Sequence, residues 1–131
     1  MLPHTMDIPS RAPLLNLRQL ETFCIIGYDD YLELLGDLSL EVPARLEQIR
    51  AAIEHGDAVE LKTIAHSLRG ILAYFGCAAL NERFAALEAP DAVAPPEQAA
   101  AIDGQLQTLW QDSLAAIKAW EKSVPGFAQG A

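Results

Sequence analysis

Between Gly56 and Gly76 the apolar residues return every three or four positions: Leu61, Ile64, Ala65, Leu68, Ile71, Leu72 and Phe75. At about 100° per residue they occupy one half of an α-helix and leave the other half polar. A helix with one apolar half has to bury it against other elements, and the rest of the chain offers helices. No stretch sustains apolar–polar alternation, and β-branched residues are few. The expected fold is therefore all-α: an antiparallel four-helix bundle with a short extra N-terminal helix.

Punctuation residues divide the chain. Residues 1–15 hold three prolines and read as a loose or partly ordered lead-in. Asn16 is placed to cap a short helix over Leu17 to Cys24, and Gly27 breaks it, with Asp29 or Asp30 as the next cap. A longer helix is expected from about Tyr31 to His55, kinked or divided at Pro43. Gly56 suits a C-terminal stop, and Asp57 with Glu60 forms a capping box for a helix from Ala58 to Phe75. A helix over Ala78 to Glu88, a proline-rich loop through Pro95, and a last helix from Pro96 to about Lys122 complete the bundle, which spans residues 16–123. Residues 124–131 read as a tail.

Composition removes several classes of function. The net charge of −9, from 18 acidic against 9 basic residues, argues against nucleic acid or an anionic membrane surface as partner. The longest apolar run falls well short of the roughly 18 residues of a spanning helix. The N-terminus lacks a charged segment followed by an apolar one, so no signal peptide is read and the cytoplasm is the expected location. Cys24 and Cys77 read as small buried hydrophobes, with no zinc-ligand spacing. Starting at Met1 and stopping soon after the last helix, the chain reads as free-standing, although an excised domain would look the same. A monomer is expected, since every apolar face is used within one bundle.

The polar half of the helix after Gly56 carries the chemistry. Val59, Lys62, Thr63, Arg69, Gly70 and Ala73 lie within about 60° of His66 on the helix wheel, opposite the apolar stripe. His66 therefore projects outward. Lys62 is one turn before it and Arg69 three residues after, so both reach the same volume of solvent. Gly70 leaves the imidazole unobstructed, and an interior glycine costs about 1 kcal/mol relative to alanine. Close approach of another surface is a sufficient reason for that cost. Imidazole is a competent nucleophile near neutral pH. Phosphoryl transfer needs in-line positioning and positive charge around the moving oxygens. Arg69 offers a forked donor pair to phosphate, and Lys62 either offers a point charge or is simply part of the polar face. No metal site is expected, because no second ligand sits three or four residues from His66.

The stretch "IAHSLRGILAYFGCAALNERFAALE", Ile64 to Glu88, resembles the signature of histidine phosphotransfer (HPt) domains. His66, Arg69, Gly70, Gly76, Leu80 and Glu88 occupy the signature's places. Tyr31, Leu34, Leu35, Leu46, Ile49 and Gly56-Asp57 also follow the family's pattern, so the likeness covers about residues 16 to 122. A lone H-x-x-[KR]-G would be weak, whereas the whole-length pattern is specific. The resemblance implies a relay in two-component signalling without autokinase activity, with His66 as phospho-acceptor and Arg69 steadying the phosphoryl group. It implies docking of a receiver domain over Gly70, Ala73, Thr63 and Val59, and a receiver and an upstream or hybrid histidine kinase as partners. Any Mg²⁺ would belong to the receiver, and no cofactor to this chain. Two departures stand out: arginine where the family more often has lysine, and Ile71 where a small polar residue is common.

Other features have plainer readings. His55 at a helix C-terminus meets the dipole favourably, and His4 carries no inference. Trp110 and Trp120 read as packing residues, while Tyr74 lies at the edge of the exposed face and either touches a partner or covers the rim of the core. A competing function is a docking module that binds a receiver or regulator without carrying phosphate. A small hydrolase or metal enzyme finds no paired carboxylates, nucleophile–base pair or ligand spacing.

Overall fold

The structure, a computed structural model, describes residues 12–90, 92 and 94–124. Among the described residues five α-helices follow one another: α1 (Leu17–Ile26), α2 (Tyr28–Glu54), α3 (Ala58–Tyr74), α4 (Ala78–Glu88) and α5 (Ala99–Ser123). A 3₁₀ turn, Pro96–Gln98, leads into α5, and the described residues contain no strand. The all-α class is as the periodicity requires.

Helices α2 and α3 pack together, as do α3 and α4, α4 and α5, and α5 and α2, so four helices surround one core while α1 lies on α2 and α3. The connections at residues 55–57 and 75–77 are too short for anything but reversal of direction. Leu35, Leu38, Val42, Leu46, Ile49 and Ile53 of α2 are buried, as are Leu61, Ile64, Ala65, Leu68 and Leu72 of α3. Each set is the apolar stripe of its helix. Phe23, Tyr31 and Phe75 form an aromatic cluster that fixes α1, with ring centroids 5.3 to 5.9 Å apart. The buried Tyr31 hydroxyl donates to Glu121 of α5 at 2.8 Å. Cys77 is buried, which pushes its thiol up to about 12, and Cys24 is half-buried, its thiol raised by desolvation and then by Glu121. Trp110 is buried and Trp120 packs on the core.

Both reversals are built alike. After α2, Gly56 takes φ +67°, its N–H donates to Ile53 and that of Asp57 to Ala52. After α3, Gly76 takes φ +66°, its N–H donates to Ala73 and that of Cys77 to Leu72. Each is a Schellman ending, in which a left-handed glycine lets the last carbonyls find donors. Asp57 then caps α3 by accepting from the Glu60 N–H at 3.0 Å. Asn16 caps α1 in the same way through Gln19.

One expectation needs correction and two open ones are narrowed. Neither Asp29 nor Asp30 caps α2: Gly27 is the N-cap, and its carbonyl accepts the first helical bond, from Tyr31. The two carboxylates lie within the first turn instead, where they meet the positive end of the helix dipole. Pro43 does not divide α2, which runs unbroken for 27 residues. The proline is exposed while Leu38, Val42 and Leu46 on either side stay buried, so burial outweighs one missing backbone bond. The end of the N-terminal lead-in is also fixed. Leu14 accepts from the Ala79 N–H, Leu15 packs on the core, and the Asn16 N–H donates to Gly76 at 2.7 Å. Residues 1–11 of the lead-in, 125–131 of the tail, and Asp91 and Val93 of the loop lie outside the described residues.

Candidate functional site

The site is assembled by the α3–α4 reversal. Because α4 turns back at Gly76 and Cys77, residues roughly equidistant from that turn come face to face, and Glu88 meets His66 across the hairpin. The His66 side chain is 79% exposed, and its Nδ1 pairs with one Glu88 carboxylate oxygen. The other oxygen accepts from Nη1 of Arg69. Arg69 Nε donates to Asn81 Oδ1 at 3.1 Å, and Asn81 Nδ2 donates back to the Arg69 carbonyl at 3.2 Å. Asn81 thus holds Arg69 by side chain and backbone together.

Burial disfavours ionisation of Glu88 and is the largest single influence on it. The hydrogen bonds from Arg69 and His66, with their charges, together outweigh it and hold the carboxyl below the usual glutamate range. An ionised carboxylate only accepts, so Nδ1 of His66 carries the proton it shares with Glu88. In the neutral ring the lone pair is then on Nε2. Among the described residues, nothing engages that nitrogen.

The other expected residues fall in two groups. Val59, Thr63, Gly70 and Ala73 are exposed on the same face of α3 as His66. The Thr63 hydroxyl bonds back to the Val59 carbonyl at 2.8 Å, and Val59 itself is 78% exposed. A Cβ placed on Gly70 would meet nothing within 4 Å, so the fold itself does not demand glycine there. Tyr74 is exposed, with its ring 5.3 Å from that of Phe23. Lys62, for which the sequence leaves both a phosphate contact and a place on the polar face open, is half-buried. Its Nζ donates to the carbonyls of Ala89, at 3.1 Å, and Pro90, at 3.4 Å, just beyond Glu88.

Glu88 and Asn81 touch His66 and Arg69, and the sequence alone assigns neither a role. One local signal pointed to Glu88: it is an acid in the last turn of α4, against the negative end of the dipole, with no base in that turn. A carboxylate so placed needs partners from another element. Asn81 gives no such signal. Among the described residues, no group of three or more His, Cys, Asp or Glu side chains could hold a metal ion, and no helix is long and apolar enough to cross a membrane.

The helical hairpin thus sets an exposed, oriented imidazole beside a tethered arginine. The Hpt domain model matches residues 33–120, and the chain belongs to that family. Hpt domains are phosphotransfer modules of two-component signalling, working with receiver domains and histidine kinases and not themselves kinases. Neither a curated protein nor a solved structure matches the chain.

Proposed function

We propose that this protein relays a phosphoryl group between receiver-domain aspartates, with His66 as the phospho-acceptor. The observation that carries the reading is the pairing of Nδ1 with Glu88 on an imidazole that is otherwise open to solvent. In the forward step the Nε2 lone pair attacks the phosphorus of an aspartyl phosphate. The N–P bond forms, the P–O bond to the aspartate breaks, and the aspartate leaves as a carboxylate. No proton has to move. The ring acquires positive charge, which the Nδ1–H shares with the Glu88 carboxylate, so Glu88 favours the charged product of attack. The return step reverses these bonds, an aspartate of the next receiver attacking phosphorus and neutral imidazole leaving.

Arg69 supports the moving phosphoryl group with the guanidinium nitrogen not bound to Asn81 or Glu88. Gly70, Ala73, Thr63 and Val59 form the surface over which a receiver approaches. The cation that such transfers use belongs to the receiver's acidic pocket and not to this chain. A receiver and a hybrid or upstream kinase are the partners, the chain acts as a monomer in the cytoplasm, and it has no autokinase activity.

The test is transfer from a phosphorylated receiver to the parent chain and to His66→Gln. Acid-labile, base-stable label is expected on the parent and none on the variant. Binding of receivers with no transfer to the parent from any of a panel would replace this reading with that of a phosphate-free docking module.

A further inference from the structure

We infer that Lys62 is a positioning residue for His66, acting through the end of α4 that carries Glu88. The inference rests on the reading of His66 as the site. Glu88 is the last residue of α4, and the chain leaves helical geometry at Ala89, with φ −56° and ψ 143°. The final carbonyls of a helix have no intrahelical donors, so such an end frays unless something outside holds it. No basic residue in the last turn of α4 does so. Glu88 also works against the dipole there. The oxygen that pairs with His66 is therefore carried on a segment that does not fix itself.

Lys62 supplies the missing tie. It sits one turn before His66 on α3, half-buried, with its ammonium on the Ala89 and Pro90 carbonyls. Arg69 grips the Glu88 side chain from one side while Lys62 grips the backbone directly after it. The cation that helical spacing places near the imidazole thus acts on it at one remove, through the acceptor of its Nδ1 proton. Without Lys62 the end of α4 loosens, Glu88 leaves Nδ1, and the ring proton becomes free to occupy Nε2, the nitrogen needed for attack.

The test uses the full unphosphorylated chain, where no phosphoryl group exists for Lys62 to touch. Nitrogen-15 NMR of the His66 ring is recorded for the parent, Lys62→Met, Glu88→Ala and the double variant. The parent is expected to hold its proton on Nδ1. Lys62→Met should shift population toward the Nε2–H form, and adding it to Glu88→Ala should change nothing further. Labelling with potassium phosphoramidate should then be several-fold slower in Lys62→Met than in the parent, and equal in Glu88→Ala with and without Lys62→Met. An unchanged tautomer in Lys62→Met would overturn the inference. So would an equal slowing by Lys62→Met in both backgrounds, which marks direct contact with phosphate. A parent that never takes up label removes the phosphotransfer reading, while the tautomer result still decides the role of Lys62.

Discussion

Glu88 joins an imidazole and a guanidinium that sit on one helix and gives both a fixed direction. Its folded carboxyl is held below the usual glutamate range, so its contribution to stability is complete above the unfolded value of about 4.3 and is lost as pH falls through the folded one. Denaturant unfolding of the parent and Glu88→Gln should therefore show a gap at pH 7 that narrows as the pH falls below the unfolded value. A gap independent of pH would contradict the pairing. Gly70 makes the opposite kind of prediction. With nothing near its missing Cβ, Gly70→Ala should stabilise the fold by up to about 1 kcal/mol, seen as a raised Tm, while slowing transfer from a receiver. At this scale, His66, Arg69 and Gly70 were legible because one helix carries them and a wheel orders them. Glu88 and Asn81 act across a hairpin, and the spacing within α3 holds no record of what α4 presents to it.

The reversals at Gly56 and Gly76 set where each helix lies, and they differ in one respect. A Cβ at Gly56 would meet nothing within 4 Å, whereas one at Gly76 would come within 2.3 Å of the Asn16 carbonyl oxygen. Both glycines have left-handed backbone, which costs a residue with a side chain about 1–2 kcal/mol. Gly56→Ala should lose roughly that amount. Gly76→Ala should lose distinctly more, because the segment entering α1 has to move as well. Thermal unfolding of the two variants side by side checks the order, and equal losses would contradict the close approach at Asn16. The reversals were readable from their glycines, with Asp57 as the capping residue after the first, and α4 lies over Ala78–Glu88 as the sequence placed it. The start of α2 was not readable, and at Pro43 the sequence left a kinked helix and a divided one both open. Local rules assign caps to aspartates and breaks to prolines, whereas the buried stripe of Leu38, Val42 and Leu46 is a property of the assembled core.

Across the whole molecule, α2 to α5 close around one core and leave the polar half of α3 facing solvent. The fold class followed from periodicity alone, because a chain with several one-sided helices and no alternating segment has few other ways to bury its leucines. At the site, Glu88 covers one ring nitrogen of His66 and leaves the other open. The most direct measurement is therefore to identify which nitrogen carries phosphorus after transfer from a phosphorylated receiver, by phosphorus-31 and nitrogen-15 NMR of the labelled chain. Phosphate on Nε2, with Nδ1 still protonated against Glu88, is the result expected. Phosphate on Nδ1, or on any residue other than His66, would contradict the role given to Glu88 and His66.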